Sequence, residues 1–115
     1  MDIRKSRKSS DGLKGKTIKP ASLVKGQVGA VVSVEVLRKP TGTVTLFAFG
    51  RGQALSEHTA PFDALVIGVE GKADITIAGK HHPLGKGEMI IMPAGIPHAL
   101  KALTAFKMIL VMIKK

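Results

Sequence analysis

The chain has 115 residues, a net charge of +10 and no cysteine. This length allows one compact domain, and the lack of cysteine excludes disulfides and thiolate metal sites. No apolar run reaches the ~18 residues of a membrane-spanning helix, and no apolar segment follows the basic N-terminus as in a signal peptide. The composition predicts a single-domain cytoplasmic protein without a membrane association.

The positive charge is concentrated near the N-terminus, where residues 1–40 carry ten Lys or Arg against three acidic residues. Residues 1–16 are rich in Lys, Arg, Ser and Gly and bury too little apolar surface to offset the entropy of ordering. We expect a flexible, disordered basic leader over 1–16 and one domain over 17–115. The leader has no aromatic residue for base stacking, so nucleic-acid binding is not predicted.

From Thr17 onward, short apolar runs alternate with turn residues, which is typical of a sandwich or barrel. In residues 43–49, Val44, Leu46 and Ala48 should face one side of a strand and Phe47 and Phe49 the other. No window shows helical periodicity, so the fold class is all-β. Residues 70–72 are predicted as a hairpin turn. The predicted strands span residues 28–36, 43–49, 64–69, 73–77, 81–84, 88–92, 98–102 and 106–113.

The strand predicted over 106–113 is apolar on both alternating faces after Lys107. A strand with one wet face would alternate apolar and polar residues, so both faces should be covered. One face can meet the interior and the other a second subunit. We therefore expect a homodimer.

Residues 87–98 combine a glycine, a buried strand, a Pro-x-Gly turn and His98. The spacing Gly-x5-Pro-x-Gly-x2-His resembles the second signature of the cupin superfamily. Upstream, Gly52, His58 and Gly71 match the first signature. Ala60 occupies its second histidine position, and Ala64, or Leu65 with the longer spacing, occupies its glutamate position. The resemblance implies a small RmlC-like cupin, with the double-stranded β-helix, or jelly-roll barrel, of that family.

In the cupin pattern, the signature histidines point into the barrel and hold a metal ion. The resemblance therefore makes His58 and His98 candidate ligands of one divalent transition metal: Fe, Mn, Ni or Zn. Asp63, one residue before the glutamate position, is a candidate replacement ligand, and Gln53 and Glu57 are weaker stand-ins. The alternative is a metal-free histidine pair that is hydrogen-bonded to itself, to water or to a backbone carbonyl.

Even without a metal, His58 and His98 could serve as a general acid–base pair or bind a polar ligand, which makes them the candidate catalytic residues. The two alanines at signature positions enlarge the pocket, which would suit a small, partly apolar ligand. The predicted pocket is lined by Ala60, Phe62, Ala64, Val66 and Met92.

Two other features receive a plainer interpretation. His81 and His82 are adjacent on a strand and should point to opposite faces, as an exposed hairpin pair does. Arg51, in a Gly-x-Gly bend, could meet a carboxylate, but a solvated loop arginine is the simpler interpretation.

Three functions stay open from the sequence. The first is a small-molecule-binding cupin with a degenerate, metal-free histidine pocket. The second is a metal-dependent cupin enzyme, of the dioxygenase or isomerase type, that uses His58 and His98. The third is a sensor or accessory protein.

Overall fold

A computed structural model describes residues 3–6 and 12–114 of the chain, without the side chains of 3–6. Within these residues, ten strands form two sheets. Pro20–Ser22 forms a short 3-10 helix, and no helix in this described part is long and apolar enough to cross a membrane. The strands are β1 (Ile3–Ser6), β2 (Val31–Lys39), β3 (Gly42–Phe49), β4 (Ala54–His58), β5 (Ala64–Glu70), β6 (Lys72–Ile77), β7 (Lys80–Gly85), β8 (Met89–Met92), β9 (His98–Ala102) and β10 (Phe106–Ile113).

The six-stranded sheet has the order β1-β2-β3-β10-β5-β8, and the four-stranded sheet has the order β4-β9-β6-β7. All pairings are antiparallel except that of β1 with β2. This two-sheet, all-β architecture confirms the predicted jelly-roll barrel. The predicted strands over 98–102 and 106–113 have the observed bounds, whereas β1 and β4 were not predicted.

The prediction of a hairpin at residues 70–72 is wrong, because β5 and β6 belong to different sheets. Gly71 turns the chain from one sheet to the other, with φ at 76°. A Cβ atom at this position would collide with the carbonyl oxygen of Ala105. Glycine is therefore required here both for backbone conformation and for space.

The barrel interior is filled by the inward side chains of both sheets. Phe49 and Phe106 have ring centroids 6.0 Å apart, and Phe47 packs against the same cluster. Leu46 and Ala48 face the other side of β3, as the alternation predicts. The buried residues of the interior cluster are Val31, Phe49, Ala64, Val66, Ala73, Ile75, Leu84, Met92, Leu100, Ala102, Phe106 and Met108.

An N-terminal strap, residues 13–24, lies against the outer face of the six-stranded sheet. Val24 is buried in a second apolar cluster with Leu46 and Ala48. The Nζ atom of Lys107 donates a hydrogen bond of 2.9 Å to the carbonyl oxygen of Ala21. The strap therefore covers part of the sheet's outer surface.

The structure describes only part of the predicted flexible leader, and the leader's flexibility stays a prediction. Residues 3–6 pair in parallel with β2, and Leu13 lies beside the sheet with the strap. Pairing at a sheet edge uses backbone groups, which side-chain composition does not report. Residues 1, 2 and 7–11 lie outside the described residues, and the domain boundary at residue 16 stays a prediction.

Candidate functional site

His98 is the first residue of β9 and is buried, with 5% of its surface exposed. The turn before it is held by two hydrogen bonds from the loop that precedes β5. The backbone nitrogen of Gly95 donates to the carbonyl oxygen of Ala60 at 2.8 Å, and that of Ala94 donates to the Asp63 carboxylate at 2.8 Å. These contacts fix the point at which the chain enters β9 and thereby position His98.

His58 is brought opposite His98 by an irregularity in β4. Leu55 pairs with Leu100 and His58 with His98, so β4 has one more residue than β9 between these two pairs. In a regular antiparallel pair, each step forward along β4 is matched by one step back along β9. Glu57 would then be the partner of His98. An extra residue of this kind re-aims the side chains that follow it. This β-bulge therefore places the imidazole of His58 opposite His98 in place of the carboxylate of Glu57.

The two imidazole rings are in contact at their Nε2 atoms, which lie 3.2 Å apart. The ring centroids are 4.4 Å apart and the ring planes are inclined by 69°. His98 is buried whereas His58 is exposed, so the pair connects the barrel interior with the surface. The sequence-based expectation that these rings converge is met by this geometry.

The other ring nitrogens are occupied by backbone carbonyls. Nδ1 of His58 is 2.7 Å from the carbonyl oxygen of Ser56, and Nδ1 of His98 is 3.2 Å from that of Ile96. A carbonyl oxygen only accepts, so each Nδ1 must be the donor. A neutral imidazole with its proton on Nδ1 has a lone pair on Nε2. In the neutral pair, two acceptors therefore face each other.

Burial is the main reason why the pKa of His98 lies below its ordinary value. The nearby His58 lowers this pKa further, while the hydrogen bond with Ile96 opposes the shift. Both larger effects favour the neutral ring, since a second positive charge and a dry environment disfavour imidazolium. The lowered pKa thus supports the assignment of Nε2 of His98 as an acceptor.

Within the described part of the chain, no third metal ligand accompanies the two histidines. Ala60 and Ala64 have no donor side chain, and the Asp63 carboxylate is hydrogen-bonded to Ala94. Among residues 3–6 and 12–114, no group of three or more His, Cys, Asp or Glu could hold a metal ion. Catalytic zinc sites use about three protein ligands, and the non-haem iron triad uses two histidines and one carboxylate. The donors present do not fit either shell.

The predicted pocket residues lie in three places. Ala64, Val66 and Met92 are buried in the barrel interior, and Ala64 and Met92 are register partners. Ala60 lies half-buried in the loop before β5. Phe62 instead lines a groove on the outside of the barrel, with its ring centroid 5.7 Å from Nζ of Lys114. The interior therefore keeps three of the five predicted residues together.

His81 and His82 lie on β7, which β6 separates from the β9 strand of His98. His81 is exposed, and its Nδ1 is 2.6 Å from a carboxylate oxygen of Asp74. His82 pairs with Ile75 and is half-buried, so the two histidines differ in exposure. Sequence reasoning missed the Asp74 contact, which the register of the β6–β7 hairpin would have indicated. Arg51 and Glu57 are exposed, and Glu57 directly precedes His58 in β4.

Comparisons with known proteins agree with this fold. The family model described as "Cupin domain" matches residues 45–114. A conserved protein of unknown function from Streptococcus pyogenes is 35% identical, with a TM-score of 0.84 over 88% of this chain and 89% of that one. A Cupin 2 conserved barrel domain protein from Leptotrichia buccalis is 40% identical, with a TM-score of 0.79 over 82% of this chain and 46% of that one.

A cupin superfamily protein from Desulfitobacterium hafniense has the same fold at 24% identity, with a TM-score of 0.84 over 89% of this chain and 94% of that one. Comparison with curated proteins gives no significant match. The family match spans more than half of the chain, and the barrel topology agrees with it. The chain therefore belongs to the cupin domain family.

Proposed function

We propose that this cupin binds a small molecule at the histidine pair and that the ligand presents a hydrogen-bond donor to it. The observation that carries the proposal is the commitment of both Nδ1 atoms to backbone carbonyls. The two Nε2 acceptors, 3.2 Å apart, then have no donor from each other in the neutral pair. One ligand ammonium group placed beside both nitrogens could donate to each of them, whereas a hydroxyl, with one O–H, would satisfy one.

The surroundings of the pair support a ligand with an apolar part. Leu100, two residues after His98 on the same face of β9, belongs to the interior cluster with Ala64, Val66 and Met92. Small polar molecules with an apolar body suit such a site, where a few placed polar groups set the orientation. The ligand class we propose has a donor group at the pair and a small apolar part beside it, on the His58 side, where the pair is exposed.

A metal-dependent enzyme of the dioxygenase or isomerase type is the second candidate. Two imidazole nitrogens at ~2.1 Å from one ion lie about 3.0 Å apart at a right angle and about 3.4 Å apart at the tetrahedral angle. The 3.2 Å between the Nε2 atoms falls between these values. The incomplete donor set places this candidate second.

We also propose that the protein is a homodimer. Met89 on β8 is 66% exposed, Ile91 on the same strand 57%, and Ile113 on β10 67%. These side chains continue an apolar outer surface that the strap leaves uncovered, and a second copy of the chain would remove it from water. The cytoplasmic location indicated by the composition stays a prediction.

The ligand class can be tested with two small probes by protein-observed NMR. Ethanolamine, which carries donor groups, should shift the ring signals of His58 and His98, whereas propanoate at the same pH above neutrality should not. The variant His98→Phe should lose this response, and His81→Phe, which changes a histidine elsewhere, should keep it. Preferential binding of propanoate, or an unchanged response in His98→Phe, would contradict the proposal.

A further inference from the structure

An open-sided cavity, the strap cavity, lies outside the barrel between the strap and the outer face of the six-stranded sheet, with a volume of about 250 Å³. Leu13, Ile18 and Leu23 line it from the strap, and Val36 and Val44 line it from the sheet. Apolar cavities of about 150 Å³ stay dry and accept a benzene-sized molecule. The strap cavity therefore has room for an apolar group on the order of eight carbon atoms.

The strap is fixed at its C-terminal end, where Val24 is buried and Ala21 accepts the hydrogen bond from Lys107. Towards the N-terminus its apolar side chains are only half-buried, as at Leu13 and Ile18. The strap is thus held to the sheet beyond the cavity without filling the cavity. A ligand can therefore lie between the strap and the sheet without separating them.

One charged side chain lines this cavity. Lys16 is exposed and, within the described part of the chain, forms no ion pair or hydrogen bond. An ammonium group beside an otherwise apolar cavity is complementary to a carboxylate that ends an alkyl chain. Nothing in the barrel site requires this arrangement, since the histidine pair lies on the other sheet and faces the interior.

We propose that the strap cavity binds a medium-chain carboxylate, with the alkyl chain between the strap and β2, β3 and β10 and the carboxylate at Lys16. Specificity would come from two sources. Each methylene buried contributes about three- to fourfold in affinity, and the ion pair at an exposed site contributes about threefold.

The test uses the full-length protein with octanoate, hexanoate and 1-octanol, followed by backbone amide NMR and calorimetry. Octanoate should bind saturably, shift the amides of residues 13–24 and bind about tenfold more tightly than hexanoate. The variant Lys16→Gln should weaken octanoate binding about threefold without changing 1-octanol binding, and Lys25→Gln, one residue beyond the strap, should change neither.

Two separate variants are designed to fill the cavity, so that one remains for the test if the other fails to fold. Val44→Phe and Ile18→Trp should each abolish octanoate binding. The conclusion is drawn from each variant that retains a cooperative thermal transition and is therefore folded. His98→Ala should leave octanoate binding unchanged, so this test and that of the histidine pair fail separately. Absence of saturable binding, shifts that map to the barrel interior or to β8, or equal loss for Lys16→Gln and Lys25→Gln would overturn the proposal.

Discussion

The Nε2 atoms of His58 and His98 lie 3.2 Å apart, although the two residues are 40 positions apart in the chain. Each ring is held from behind by a backbone carbonyl of its own strand or turn. The orientation of both rings is therefore set by local backbone and does not depend on a bound ligand. A site of this kind is preorganised.

We expect both histidines to populate the tautomer with the proton on Nδ1 at a pH well above neutrality. The carbonyl oxygens of Ser56 and Ile96 can only accept, so the opposite tautomer would lose these hydrogen bonds. Two-bond ¹H–¹⁵N correlation spectra distinguish the tautomers directly. Exposed His81 serves as the control, and an Nε2–H signal from His98 would contradict the assignment.

Stability should fall on acidification partly because of His98. Its pKa in the folded state is lowered, chiefly by burial, so the unfolded chain binds more protons in the window below the ordinary value of about 6.5. The free energy of unfolding should therefore rise with pH up to about 6.5 and lose this contribution as the pH falls through the folded-state pKa. Urea unfolding between pH 5 and 8 measures it.

The variant His98→Phe is the control for this pH dependence. It keeps an aromatic ring at a buried position and removes the titrating group, so the slope of stability against pH should become smaller. An unchanged slope would mean that other groups carry the acid sensitivity.

A metal ion should bind only weakly at the histidine pair. Two imidazoles without a third protein ligand leave most of the coordination shell to water. Elemental analysis of protein purified without added metal should give less than about 0.1 ion per chain, and Zn²⁺, Mn²⁺ and Ni²⁺ titrations should show no tight stoichiometric step. Stoichiometric binding that disappears in His98→Ala would favour the metal-dependent enzyme instead.

Gly71→Ala should destabilise the barrel far more than Gly79→Ala. Both glycines have positive φ, 76° and 80°, so both substitutions carry a conformational cost of about 1–2 kcal/mol. An added Cβ meets nothing within 4 Å at Gly79 but collides with the Ala105 carbonyl at Gly71. Thermal unfolding of the two variants compares them, and equal losses would show that the corner relaxes freely.

The sequence predicted the barrel well because its strands alternate with clear turn residues and because the 87–98 segment keeps the spacing of the second signature. The bulge in β4 could not be predicted, because residues 54–58 contain neither glycine nor proline and are too few for a clear alternation. The pattern around Gly71 predicts a hairpin, because a glycine turn between two strands looks the same whether the strands share a sheet or belong to different sheets. Position along the chain does not say which sheet a strand joins.

The candidate site was predictable in its two histidines but not in their environment. The carbonyl partners of Nδ1 depend on local backbone geometry that no residue type specifies. The engagement of Asp63 with Ala94 likewise depends on how the two loops meet. The strap could not be predicted from composition, because Leu13 and Ile18 are surrounded by lysines that dominate the mean hydropathy of this segment.

The protein should be a dimer at micromolar concentration, held by the outer surface around β8 and β10. Ile109 on β10 is covered by the chain's own second cluster, whereas Ile113 is 67% exposed, so the apolar strand predicted to be covered on both faces is covered only in part. A charge on β8 should therefore disrupt association while leaving the barrel folded. Analytical ultracentrifugation of the wild type and of Ile91→Lys measures this.

Leu103→Lys, at a position 47% exposed in the turn between β9 and β10, is the matched control and should stay dimeric. A monomeric wild type would exclude the dimer, and a dimer that survives Ile91→Lys would place the interface on another surface.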